Sequence, residues 1–271
     1  MAKIYHYTTI DTLALIMLNK TIRFNRLDKV DDKEESIFGS GPFDTKVSKN
    51  VFVSCWTRNP EENPDLWQRY ARGNKGVRIA LDEDMFQTYQ INDHFKSFFP
   101  DWFKIIGDCF FPLPVNEAKL YDVQYVENNE ELIRRCVSYA NDFVNTKIHA
   151  LGIYKKKKDW EQQGESRFKL FAFPLTTEAS IGIKSHSVND MIASLDTVNT
   201  LLMSNHQIAL DYYDMPLKQG ALNSIEVTMG PNTTKDDKDK VRRILYPCPF
   251  YRLFSNRRIT DSRLRGKRNK L

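Results

Sequence analysis

Runs of β-branched and aromatic residues alternate along this chain with amphipathic helical patterns, yet without the even strand-helix-strand cadence of a parallel sheet. Residues 21 to 24, 51 to 56, 76 to 81, 121 to 125, 167 to 173 and 224 to 229 read as strands. Residues 8 to 18 read as a helix, with a capping-box-like start at Thr8 and Asp11 and with Ile10, Leu13, Ala14 and Met17 at helical spacing. A short helix is expected over 65 to 72, the clearest apolar stripe predicts one over about 129 to 148, and 188 to 210 and 234 to 245 complete the set. The stretch from 92 to 118, aromatic-rich and carrying Pro100, Pro112 and Pro114, reads as an irregular insertion. With no glycine-rich dinucleotide fingerprint and no internal repeat, the pattern predicts an α+β architecture and argues against a Rossmann fold.

A chain of 271 residues with 41% hydrophobic content can bury a full core without staples. Cys55, Cys109, Cys136 and Cys248 lie far apart, lacking both zinc-site spacing and the density of a disulfide scaffold, and read as reduced thiols of a cytoplasmic protein. The apolar run 13 to 18 is too short for a signal peptide or a membrane span, so no membrane association is expected. His94, His149, His186 and His206 are scattered, and Asp28, Asp31, Asp32, Glu34 and Glu35 suit a solvated loop better than a cation site, so no metal is expected. Nucleophile motifs of the G-x-S-x-G type are absent.

The formal charge of +5 is unevenly placed: residues 252 to 271 hold eight Lys or Arg against the single acid Asp261, leaving the rest of the chain at −2. A second basic run covers Lys155, Lys156, Lys157 and Lys158. Such clusters favour polyanions, and Lys155, Lys156, Lys157, Arg257, Arg258 and Arg265 are the expected nucleic-acid contacts. A solvated tail that aids solubility accounts equally well for the terminal run.

Four segments place polar residues where they can project into a cleft. In the first, Tyr5-His6-Tyr7-Thr8, a histidine beside aromatics suits a buried structural role at least as well as a catalytic one. In the second, Ser54 and Thr57 end an apolar strand and can orient a carboxylate or a ribose. In the third, Trp67, Tyr70 and Ala71 share a helix face that serves core packing, or offers Tyr70 to a flat heterocycle. The fourth runs from Trp160 to Arg167: Gln163 and Glu165, two apart before a strand, point the same way if the backbone is extended. A carboxylate fixed there suits chemistry at a sugar C1, where an oxocarbenium-like transition state develops charge next to the 2-hydroxyl. A salt bridge from Glu165 to Arg167 or a nearby lysine is the structural alternative.

The series YHYT (5 to 8), TIRFNRLDKVDD (21 to 32), VSCWT (53 to 57), WQRYARGNKGVRIALD (67 to 82), KKKKDWEQQGESR (155 to 167), IEVTMGP (225 to 231) and ITDSRLR (259 to 265) resembles a large bacterial domain family of unknown function along nearly the whole chain. Many of its members carry Glu where this chain has Gln163. That family is in turn similar to ADP-ribosyltransferases, and the opening His-Tyr-Thr resembles the DarT toxins and the RNA 2′-phosphotransferases. The resemblance implies an ADP-ribosyltransferase-like fold of split antiparallel sheets with flanking helices, as a single domain over 1–255 with a basic tail over 256–271. It further implies NAD as substrate: His6, with Tyr7 and Thr8, on a ribose, Tyr70 stacked on nicotinamide, Ser54 or Thr57 bracing Glu165, and Glu165 on the nicotinamide ribose. Gln163 would orient the acceptor, and Arg23 and Arg26 are the candidates for the pyrophosphate.

Two functions follow. One is a mono-ADP-ribosyltransferase of toxin or anti-phage type, acting on single-stranded nucleic acid, RNA before DNA, or on protein, with an antitoxin or defence-system partner. The other is a catalytically silent module that binds nucleic acid or a partner protein through Tyr5, Tyr7, Trp56, Trp67 and the basic residues.

Overall fold

The computed structural model describes residues 2–30, 46–90, 102–140, 143–156, 161–184, 187–204, 206–247 and 257–266. Lys3–Thr8, expected only as the approach to a helix, forms strand β1. Helix α1 (Ile10–Asn19) starts one residue later than the capping pattern implied. Its N-cap is Thr9, whose hydroxyl accepts from the Thr12 amide at 3.0 Å, and Lys20 ends it in the left-handed conformation at φ 56°. Ile10, Leu13 and Ile16 are its buried stripe. Strand β2 (Thr21–Arg26) alternates cleanly, with Ile22, Phe24 and Arg26 inward.

Strand β3 (Val51–Thr57) is buried along most of its length. Helix α2 (Pro64–Tyr70) opens with Asn63 as N-cap and Pro64 in the first turn, where a missing N–H costs nothing. Strand β4 (Val77–Asp82) follows a turn in which Gly76 is obligatory. A Cβ there would stand 2.2 Å from the Thr8 carbonyl oxygen and 2.9 Å from the Ala71 Cα.

Part of the expected irregular insertion is a hairpin of β5 (Phe103–Ile106) and β6 (Cys109–Pro112), turned at Gly107 with φ +56°. Short strands β7 (Leu120–Asp122) and β8 (Gln124–Val126) divide the next expected strand at Val123, whose amide donates to the Glu165 carbonyl at 2.9 Å. The long helix expected over 129 to 148 is corrected. Helix α3 stops at Cys136 (Asn129–Cys136), and β9 (Val137–Ala140) and β10 (Phe143–Thr146) pair antiparallel. Val137, Phe143 and Val144 of the expected helical stripe are β-branched or aromatic and suit a strand equally well.

Strands β11 (Tyr154–Lys156), β12 (Glu165–Phe171) and β13 (Phe173–Pro174) precede the helix pair α4 (Thr177–Lys184) and α5 (Val188–Met203). The segment expected to be helical to 210 ends early, and β14 (Tyr212–Pro216) follows. Then come β15 (Glu226–Met229), helix α6 (Lys235–Leu245) and β16 (Arg258–Asp261). The last strand is a departure from the expected tail, because residues 258 to 261 pair in parallel with β15.

The main sheet has nine strands in the order β14-β2-β3-β1-β4-β15-β16, with β12 on β3 and β7 beyond β12. One edge of β3 pairs with β12 throughout, from Glu165 opposite Thr57 to Phe171 opposite Val51. Its other edge is shared by two strands: β2 pairs at Val53 and Phe52, and β1 pairs only through Tyr5 opposite Thr57. Since β1 runs fully paired along β4, the sheet parts between β1 and β3 just past that junction. One face is covered by a core that includes Leu13, Phe24, Ile79, Phe86 and Phe168. Leu27, Val51, Val53, Leu132 and Leu151 pack together on the opposite side of β3. The fold is α+β, as expected.

Candidate active site

A cleft opens where β1 and β3 separate, lined by Tyr5, His6, Tyr7, Cys55, Trp56, Thr57, Leu66, Tyr70, Gln163 and Glu165. Its walls are largely aromatic with a few convergent polar groups, the chemical make-up of a small-molecule site. Four separate stretches of chain therefore meet: β1, the end of β3, helix α2 and the entrance of β12. Of the residues expected around a dinucleotide, His6, Tyr7, Thr57, Tyr70, Gln163 and Glu165 are gathered here. Leu66 joins them unforeseen, one turn before Tyr70, while Tyr5, Cys55 and Trp56 come from segments the sequence had already marked.

The gap left by the interrupted ladder is bridged by a side chain. His6 Nδ1 lies 2.8 Å from the Cys55 carbonyl oxygen. A carbonyl only accepts, so Nδ1 carries the proton, and Nε2 of the neutral ring is an acceptor. Burial pushes the His6 pKa below its ordinary value, opposed in part by the Cys55 hydrogen bond, so the ring stays neutral at physiological pH. The Trp56 indole lies against it, with centroids 5.1 Å apart.

Glu165 opens β12 opposite Thr57 and is only 9% exposed. Arg167 grips it in two bonds, Nε to Oε1 at 2.7 Å and Nη2 to Oε2 at 3.1 Å, and Lys155 Nζ approaches Oε2 at 3.4 Å. Burial alone would raise this carboxyl, but Arg167, Lys155 and the Cys55 thiol outweigh it and hold the pKa at about 2. The ion pair anticipated as the structural alternative is thus present.

Gln163 reaches the same cleft by a different route from the one expected. It ends a 3-10 turn (Glu161–Gln163), and Gly164 follows at φ +53°, so the backbone between Gln163 and Glu165 is not extended. A left-handed glycine redirects the chain so that both side chains still face one space. Gln163 is 5% exposed, and its Nε2 has no hydrogen-bond partner among the described residues.

Helix α2 forms the opposing wall. Trp67 is wholly buried behind it, edge-on to Tyr7 at 4.9 Å, with its indole N–H donated to Glu62 at 2.9 Å. It is core, not a stacking surface. Glu62 also accepts from the Ser262 hydroxyl and from the Arg263 amide at 2.8 Å, and Leu264 packs near Tyr7, Leu66 and Trp67, so the segment after β16 is latched to this wall. The Tyr7 hydroxyl accepts from the Asn63 amide at 3.0 Å.

Other expected contacts lie elsewhere. Ser54 is not among the residues lining the cleft and accepts from Trp56 Nε1 at 3.0 Å, leaving Thr57 as the hydroxyl beside Glu165. Thr8 is buried outside the cleft lining. Arg23 is bound bidentately to Asp214 at 2.8 and 2.9 Å and lies on Tyr212. Arg26 ties Asp28 to the carbonyls of Ile208 and Leu210. Neither arginine lines the cleft, to which β2 contributes no residue.

Lys155, buried against Glu165, is no surface contact for nucleic acid. Lys156 is half-buried in β11, and Lys157 lies outside the described residues. Arg257 is held by the carbonyls of Leu222 and Leu245, whereas Arg258 and Arg265 are exposed, the latter bonded to Asp261 and to the Thr233 carbonyl at 2.8 and 2.7 Å.

Among the described residues no cluster of three or more His, Cys, Asp or Glu could hold a metal ion, and no helix is long and apolar enough to cross a membrane. No protein family, no curated protein and no solved structure matches this chain.

Proposed function

We propose that the cleft binds NAD and that the protein is a mono-ADP-ribosyltransferase. The observation that carries this reading is the convergence of His6, Tyr70, Gln163 and Glu165 from distant segments onto one space. In this reading the neutral His6 accepts a ribose hydroxyl through Nε2, and the aromatic walls, Tyr70 among them, cover nicotinamide. Glu165, kept ionised by Arg167 and Lys155, stabilises positive charge on the ribose as the C1–N bond breaks and its electron pair leaves with nicotinamide. A nucleophile of the acceptor then bonds to C1 and releases its proton to solvent. The exposed Arg258 and Arg263 and the basic composition after β16 favour a nucleic-acid acceptor, with single-stranded RNA first and DNA or protein as alternatives. A cytoplasmic toxin or anti-phage effector with an antitoxin or defence-system partner is the setting in which such chemistry fits.

One observation favours a silent binding module instead. The two guanidinium N–H groups, the Lys155 ammonium and the Cys55 thiol occupy most of the acceptor capacity of Glu165, leaving little for a ribose hydroxyl. Incubation with labelled NAD and total RNA, single-stranded DNA or lysate separates the two. Transfer or nicotinamide release by the wild type, lost in folded Glu165→Gln and His6→Ala variants, supports the transferase. Neither product from any acceptor, with retained salt-sensitive RNA binding, supports the silent module and ends the enzymatic reading.

A further inference from the structure

Arginine is buried at three described positions, and two of these are neutralised. Arg26 is paired with Asp28 and Asp211, and Arg167 with Glu165. Arg78, 8% exposed on β4, has no carboxylate partner among the described residues. Its Nη1 donates to the Pro60 carbonyl at 2.8 Å and its guanidinium also hydrogen-bonds Tyr7, while its Nε is buried without a hydrogen-bond partner among the described residues. Removing a guanidinium from water without a counter-charge is costly, and leaving one of its N–H groups unsatisfied adds to that cost.

The position gives that cost a use. Arg78 stands opposite Tyr7 in the β1–β4 ladder and lies 4.6 Å over the Tyr5 ring, and both tyrosines line the cleft. The loop holding Pro60 continues from Thr57, another lining residue. We propose that Arg78 is an anion-binding group at the edge of this cleft, satisfied by phosphate oxygens of a bound nucleotide. Guanidinium suits this task, since it is weakly hydrated, rests on an aromatic face and presents several N–H groups to a phosphate. The inference rests on the nucleotide reading of the cleft and supplies the pyrophosphate contact that Arg23 and Arg26, committed elsewhere, do not.

The test uses inorganic pyrophosphate and ADP-ribose, measured by calorimetry on the whole chain without turnover. The wild type is expected to bind both, and Arg78→Met to weaken ADP-ribose by at least about tenfold, or about 1.4 kcal/mol. Arg78→Lys should recover part of the loss. Because Arg78→Met removes a buried group, the Arg78 Nε–H resonance of the unaltered protein provides a second readout and should shift on adding pyrophosphate. No binding of either probe, an unmoved resonance at saturating pyrophosphate, or unchanged affinity in a folded Arg78→Met would overturn the proposal. Arg78-dependent pyrophosphate binding without NAD cleavage would sustain it while removing the transferase. NAD cleavage with unaltered KM in Arg78→Met would do the reverse.

Discussion

The His6 imidazole and the Cys55 carbonyl, 49 positions apart in sequence, meet at 2.8 Å across the gap where β1 leaves β3. That bond replaces a missing rung of the sheet and fixes the tautomer of the ring that faces the cleft. Long-range nitrogen-proton correlation spectra should therefore show neutral, Nδ1-protonated His6 at pH 7. Since burial lowers the pKa from its ordinary 6.5, the unfolded chain takes up the proton first as pH falls. The stability contributed by His6 is complete above about pH 6.5 and declines below it, and ligand affinity should be flat from pH 8 down to that point. An imidazolium or an Nε2-protonated ring at pH 7 would contradict the arrangement.

Removing the Glu165 carboxylate leaves Arg167 and Lys155 buried beside a neutral side chain. Glu165→Ala is expected to cost about 3–5 kcal/mol in urea unfolding. Its carboxyl, held at about 2 against an ordinary 4.5, contributes stability that is full above pH 4.5 and is lost as pH falls toward 2. The variant should therefore converge on the wild type in acid. A loss under about 1 kcal/mol at pH 7 would show that the pair does not hold this part of the sheet.

Gly164 is strained for any other residue by its φ of +53°, although a Cβ would find its nearest contact, Thr57 Oγ1, at an easy 3.7 Å. Gly164→Ala should thus cost about 1–2 kcal/mol through the backbone and not through a clash. Whatever activity or binding the cleft has should fall further than stability does, because Gln163 is aimed by this turn. Equal Tm values for variant and wild type would refute the conformational argument.

Glu62 gathers the Trp67 indole, the Ser262 hydroxyl and the Arg263 amide. Glu62→Ala should free the segment after β16 and speed trypsin cleavage after Arg263 and Arg265 several-fold, read by mass spectrometry. Unchanged cleavage rates would mean that β16 alone retains the segment.

The strands and helices with one strong period were legible in the sequence. Val51–Thr57, Val77–Asp82 and Lys235–Leu245 fall close to where β-branched and aromatic content, alternation and amphipathic helical character respectively put them. Residues 137 to 146 were misread because their apolar spacing satisfies two periods, and partner strands, not local pattern, decide between them. The cleft residues His6, Tyr70, Gln163 and Glu165 were named from segment identity, but their meeting depends on sheet order, which one-dimensional spacing does not encode. Arg78 carries no signal in the sequence for a similar reason: within a run of apolar strand residues, nothing local distinguishes an arginine with a carboxylate partner from one without.

Gly76 sets a limit on all of this. Where the Thr8 carbonyl and the Ala71 backbone leave no room for a methyl group, the distance between the strand bearing His6 and the turn after Tyr70 is a gauge fixed by main chain against main chain. A side chain at position 76 would have to push these two main-chain segments apart, and with them the walls that carry His6 and Tyr70, so a change far from any ligand would reach the opening through the backbone alone.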